Sequence, residues 1–454
     1  MKPRRLPRKR WIVLALLALT GVGAYFAWFR VEPPDPRWNG AYRLEDGQLV
    51  FVTAREGGSL RYHLMNGESR ALWPAGEDRY EAGPAYRDRT PVEVRVTFHS
   101  RGFTWKRPDG TEERARRVDL PETHFTFPSD DLTLRGKLVT PQGKGPFPVV
   151  VIVHGSGKDS GVDTFLFPYL FASHGIATLV YDKRGTGGSE GDYTQNFHVL
   201  ARDVVAAVDW ARGQSAVDAS RIHLAGYSQG GWIAPLAATK TPGIRSLLIG
   251  YGPMVPVTGE DRWGYVYALR EKGFGEDAVR EADRINDVIG AMFDRGEDRW
   301  DELGRLLQEA EGKPWLEAVK GSDSGVGFVT ETRLPLWALR LYVWWTSPGS
   351  GDEPFIDRLY DPVPTVASLT GTPSLWLLAG EDNSMPTGWT MEKLEELQAA
   401  GRPIEVILYP DTDHGILRFE EAADGSRRIL GLHPDYLGDQ VEWLRAQSGL
   451  KEGT

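Results

Sequence analysis

Gly226-Tyr227-Ser228-Gln229-Gly230 is the stretch of this chain best suited to chemistry. A G-x-S-x-G of this kind sets a serine on a sharp turn from strand to helix, its backbone strained and its hydroxyl exposed. In a chain with 52 glycines the five-residue match means little alone. Its flanks add the weight. Ile222–Ala225 reads as a buried strand, and Trp232, Ile233, Leu236, Ala237 and Ala238 suit a buried helix opening at Gly230. Glycine is then needed on both sides of the serine, where a Cβ would strike the adjoining strand or helix. The chemistry implied is nucleophilic attack by Ser228.

Serine at its free pKa is a weak nucleophile, so Ser228 needs a base, and the base needs a carboxylate to orient it. Enzymes built on this turn carry the three in the order serine, acid, histidine. Only His414 and His433 follow Ser228. His414 lies in Pro410-Asp-Thr-Asp-His-Gly415, directly after an expected strand ending at Tyr409, whereas His433 precedes Pro434 with no strand expected to aim it. His414 is therefore the expected base. The acid should leave an earlier strand at the same edge, and Leu377-Leu-Ala-Gly-Glu-Asp-Asn383 offers Asp382, with Glu381 as the fallback. Asp413 and Asp361 read as turn residues. Oxyanion donors are expected from the backbone N–H of Gln229 and from the loop His154-Gly-Ser-Gly157, with Ser156 preferred over Gly155 and Gly157. His154 should shape that loop, and Asp182 and Arg184 should form an ion-paired turn of structural value.

These residues must be held by a sheet. Val149–Val153 is a continuous apolar run, the mark of a strand covered on both faces. Helical text over 165–174, a strand Ala177–Tyr181, a helix Val199–Arg212, the serine strand and helix, and Ser246–Tyr251 then alternate as in a doubly wound α/β sheet. The alternation stops over about 253–370, a helical segment with Trp263, Trp300, Trp315, Trp337, Trp344 and Trp345. It resumes at Pro373–Ala379, a helix Trp389–Ala400 and the strand Ile404–Tyr409. The insertion leaves from the strand end that carries the serine, so it should cap the site. Before the sheet, residues 38–120 read as a small antiparallel β domain, with hairpin turns at Asp46-Gly47, Asn66-Gly67 and Asp109-Gly110.

Lys2, Arg4, Arg5, Arg8, Lys9 and Arg10 precede an uncharged run, Trp11–Phe29, long enough to cross a membrane. Residues 1–30 are expected to be an uncleaved signal anchor, with a cleaved secretory signal as the competing reading. The basic end then faces the cytoplasm and the catalytic part lies outside it. Residues 31–37 form a Pro-rich linker. The net charge of −10 argues against a nucleic-acid partner, and the absence of cysteine excludes disulfides and thiolate chemistry. No H-E-x-x-H is present, and Gly185-Thr-Gly-Gly-Ser189 lacks the spacing and lysine of a phosphate loop. No metal or cofactor and no obligate protein partner are expected.

The set His154-Gly-Ser-Gly, Tyr181-Asp-Lys-Arg-Gly-Thr-Gly-Gly-Ser, Gly226-Tyr-Ser-Gln-Gly-Gly-Trp-Ile-Ala-Pro235, Ala379-Gly-Glu-Asp and Asp413-His resembles bacterial α/β-hydrolase-fold serine hydrolases, closest to the esterase branch that borders on prolyl-oligopeptidase-like and acyl-thioesterase enzymes. The likeness covers about residues 121–454. It implies hydrolysis of a small-molecule ester through an acyl-Ser228 intermediate, with His414 as base then acid and Asp382 orienting it. Esterases, thioesterases and peptidases all share the pattern.

Overall fold

The computed structural model describes residues 34–451 except Asp323, 333–334, 347–354 and Asp424, and omits the side chains of Glu56 and 342–346. The expected anchor over 1–30 and the start of the linker lie outside the described residues. Among the described residues no helix is long and apolar enough to cross a membrane.

Eight antiparallel strands come first: β1 (Gly40–Leu44), β2 (Leu49–Ala54), β3 (Leu60–Leu64), β4 (Ser69–Gly76), β5 (Arg79–Ala82), β6 (Val94–His99), β7 (Gly102–Lys106) and β8 (Glu112–Arg117). They close into a barrel, with β1 paired to both β2 and β8. The turns are the expected ones, with Gly47, Gly67 and Gly110 at positive φ where a Cβ would be strained. Side chains fill the interior, as a barrel of this strand number requires. Tyr42, Tyr62, Phe98, Phe103 and Trp105 form its core, the Tyr62 and Trp105 rings 4.7 Å apart.

The second sheet comprises β9 (Glu122–Ser129), β10 (Leu132–Val139), β11 (Phe147–Val153), β12 (Ala177–Tyr181), β13 (Val217–Tyr227), β14 (Ile244–Gly250), β15 (Ser374–Ala379) and β16 (Ile404–Tyr409). Their order is β16-β15-β14-β13-β11-β12-β10-β9, parallel from β12 to β16 and antiparallel at the β9–β10 edge. Alternate side chains of β11 enter opposite cores. Val149, Val151 and Val153 meet the helices Phe197–Arg212 and Gly230–Lys240, while Val150 and Ile152 face Phe167–Ala172 and Tyr436–Gln447. The chain winds from β11 to β12 on one side and reaches β13 on the other. The carboxyl ends of β11 and β13 therefore flank a switch point, where open α/β sheets form their clefts.

Between β14 and β15 lie the helices Val257–Glu271, Glu276–Arg295, Trp300–Ala310, Pro314–Val319, Gly325–Glu331 and Leu336–Thr346, which share a core of their own. The tryptophans divide. Trp315 is buried in that core, Trp337 is exposed, and Trp263 reaches back to the sheet. After β16 comes a small antiparallel sheet, β17 (Thr412–Asp413), β18 (Leu417–Glu421) and β19 (Arg427–Leu432), which sequence reading missed.

Candidate active site

β13 ends at Tyr227 and a helix opens at Gly230, leaving Ser228 in the turn at φ 53°. A non-glycine residue in that region costs about 1–3 kcal/mol, which surrounding structure must hold. The Ser228 N–H donates to Gly250 O at 3.0 Å, and its carbonyl accepts from the Gly231 N–H at 2.7 Å. The glycines are there for space. A Cβ on Gly226 would sit 2.2 Å from Gly230 O, and one on Gly230 2.1 Å from Val153 O.

His414 Nε2 lies 3.1 Å from Ser228 Oγ, and its Nδ1 lies 2.9 Å from Asp382 Oδ2. The three residues leave β13, β15 and the loop after β16, and the parallel sheet brings these carboxyl ends to one rim. Asp382 is buried, and its Oδ1 also accepts from the N–H groups of Ser384 and Met385 at 2.9 and 2.8 Å. That fixes the carboxylate before the imidazole meets it. Burial pushes the His414 pKa down, but the Asp382 charge and hydrogen bond, helped by Glu260 and Asp413, outweigh it and leave it above the ordinary histidine value. The edge of the Tyr251 ring completes the imidazole's setting, 4.9 Å away.

The other candidates fall elsewhere. Glu381 is half-exposed and turns toward Arg427, away from the imidazole. Asp413 ties the two loops together: it accepts from Asn383 N–H at 3.0 Å and from the His414 N–H at 2.7 Å, and pairs with Arg427 at 2.9 Å. Asp361 caps the helix Pro362–Ser368, accepting from Val363 N–H. His433 does follow a strand, β19, contrary to expectation, yet its ring packs on Tyr409 at 4.8 Å and meets neither Ser228 nor Asp382. His154 is buried, bonded through Nε2 to Tyr181 O at 3.0 Å, and burial, then the Lys183 charge, push it down to about 3. Asp182 and Arg184 are ion-paired, but not to each other. Asp182 takes Arg135 at 3.2 Å, and Arg184 takes Asp203 at 2.6 Å and Asp130 at 3.0 Å.

Ser156 and Gln229 line one cavity of about 200 Å³ with Ser228, Trp232, Val257 and Glu260. Gly155 packs against the nucleophile: a Cβ on it would lie 3.2 Å from Ser228 Cβ. Two side chains steady this loop. Lys183 Nζ donates to Gly155 O at 2.7 Å, and the Tyr193 hydroxyl donates to Ser156 O. Burial, opposed by Asp159, lowers Lys183 to about 8. Sequence reading passed over Lys183, although it stands in the quoted motif between the two residues assigned to the turn. The cap meets the site at one named bond, Trp263 Nε1–H to Asp382 O at 3.1 Å. Among the described residues no group of three or more His, Asp or Glu could hold a metal ion.

Residues 130–321 match the model of the X-Pro dipeptidyl-peptidase (S15) family. The chain is 30% identical to the esterase EstD of Thermotoga maritima over 40% of this chain and 47% of that one. It is 26% identical to an uncharacterized 31.7 kDa Escherichia coli protein from the traX-finO intergenic region, over 42% of this chain and 65% of that one. It thus spans less than two thirds of the length of these relatives. The acylaminoacyl peptidase of Pyrococcus horikoshii superposes with a TM-score of 0.44 at 17% identity, covering 91% of this chain and 56% of that one. The family model and these relatives make the chain similar to α/β-hydrolase-fold serine hydrolases.

Proposed function

We propose that this protein is a serine hydrolase, a carboxylesterase working through an acyl-Ser228 intermediate. The observation that carries the reading is the unbroken line of contacts from Ser228 through His414 to Asp382, at 3.1 and 2.9 Å. Ser228 Oγ attacks the ester carbonyl while its proton passes to His414 Nε2. Asp382 holds the imidazole and stabilises the imidazolium. The tetrahedral oxyanion is met by the N–H groups of Gln229 and Ser156, each worth on the order of 3 kcal/mol. His414 then protonates the leaving alcohol, and water repeats the cycle on the acyl-serine. Incubation with a fluorophosphonate probe tests this. Labelling that persists in Ser228→Ala would refute the assigned nucleophile.

A second reading, an amidase or aminopeptidase, draws on two acceptors beside Ser228. Glu260 lines the cavity, and Gln229 Oε1 is buried there without a hydrogen-bond partner. Both suit a substrate that brings N–H donors, such as a free amine next to the scissile bond. Turnover of p-nitrophenyl acetate against aminoacyl p-nitroanilides separates the two. A thioesterase is the third member of the same panel. In the cell, residues 1–30 anchor the enzyme with its catalytic part outside the cytoplasm, or release it there if cleaved. No nucleic acid and no obligate protein partner enter the reading. Detection of the intact chain in the cytosolic fraction would count against the anchor.

A further inference from the structure

A second cavity, of about 290 Å³, lies between the barrel and the segment that follows the oxyanion loop. Its barrel wall is made by Arg61 and His63, on the outer face of β3, whose Leu60, Tyr62 and Leu64 point into the barrel core. Facing them are Tyr86, Phe165, Leu166 and Phe167. Arg61 is only 2% exposed, and neither its Nε nor its Nη1 finds an acceptor among the described residues. Its guanidinium carbon lies 3.3 Å from the centre of the Tyr86 ring, which supports a cation without neutralising it. No ion pair joins it to Asp159 at the rim of the cavity. Burial, then the charges of Arg55 and Arg87, push it down to about 8, so the local field is positive.

A buried arginine retained without a counter-ion is costly, and its planar fork fits a carboxylate through two parallel N–H···O bonds. Phe165, Leu166, Phe167 and Ala54 give the cavity an apolar side, with Thr53, Arg55, Asp159 and Thr164 among its other walls. We infer that this cavity is a binding site for a small organic carboxylate, its charged end on one two-donor edge of the Arg61 guanidinium and its apolar body against Phe165, Leu166 and Phe167. The site stands apart from Ser228, so it does not rest on the ester-cleaving reading. It does back onto that turn: Phe167 stacks on Tyr227 at 4.2 Å, and the Phe165 ring meets His154 edge-on at 5.3 Å.

Isothermal titration of the full chain with benzoate, and separately with orthophosphate, tests the inference. Benzoate should bind wild type and Ser228→Ala alike, and Arg61→Lys should weaken it by about 10- to 100-fold because one ammonium cannot replace the fork. Arg61→Met should abolish binding while unfolding at no lower temperature than wild type, since it removes an uncompensated buried charge. Benzoate binding that survives Arg61→Met or Arg61→Lys unchanged would overturn the inference. Orthophosphate binding as tightly as benzoate would overturn the carboxylate assignment.

Discussion

Two carboxylates adjoin in Glu381-Asp382, and two histidines follow the serine, so the chemistry turns on which of each pair reaches the rim. Asp382 has its carboxylate fixed by two backbone N–H groups, while Glu381 points to Arg427. Asp382→Asn should therefore cost about 10⁴ in kcat, and Glu381→Gln should stay near wild type. His414→Ala should abolish turnover of p-nitrophenyl acetate while His433→Ala does not. Either reversed ranking would move the assignment. His414 must be neutral to accept the serine proton. Its pKa is raised, so kcat/KM should climb with pH through a midpoint above about 6.5. Glu260 is one of the charges raising it, so Glu260→Gln should move that midpoint down. The same shift makes protonation favour the fold. Its contribution to stability is fully present below the unfolded value and fades as pH rises through the folded one.

At the scale of elements, the alternation of apolar strands and helices was legible because a central parallel strand is covered on both faces and reads as an uninterrupted apolar run. Val149–Val153 announces itself this way, whereas the edge strand Ile404–Tyr409 carries Glu405 and a half-exposed Leu408 and is read from its remaining apolar residues. The strands β4 and β5 did not, since Ser69, Arg70, Trp73 and Pro74 break any period of two. The barrel's closure was illegible for a different reason: it rests on pairing of β1 with β8, two segments far apart in the chain. Ser228, His414 and Asp382 could be chosen from loop positions alone, but Lys183 and Trp263 act through backbone carbonyls, which leave no signature in residue type. Trp263 offers the sharper test. Trp263→Phe keeps the ring but loses the bond to Asp382 O. It should lower kcat/KM by roughly tenfold, the size of about one hydrogen bond, with little change in melting temperature. No effect would mean the cap does not steady the acid loop.

For the whole molecule, the barrel is more than a spacer. Ala41, Leu49 and Phe51 join the same core as Tyr169, Leu170 and Phe171 of the α/β part. Asn39 Nδ2 donates to Asp163 O at 2.6 Å. On the far side, Tyr86 N–H donates to Ile429 O at 3.2 Å and Leu432 N–H to Gly67 O at 2.9 Å. Deleting residues 34–118 should thus expose apolar surface and give an insoluble or strongly destabilised protein. Deleting only 1–30 should leave a soluble, active enzyme. If the barrel-free fragment folds and turns over substrate at the parent rate, the shared core is dispensable.

One barrel therefore grips the α/β part at two places, next to the loop after β11 and on the strand pair that follows His414. A tilt of the barrel by a small angle would be felt by both halves of the catalytic apparatus at once, like a lever with two arms. Amide exchange reads this directly. The Leu432 amide proton at one grip and the Asn39 side-chain amide protons at the other should exchange with the same opening free energy, and a mutation loosening one contact should speed the other equally.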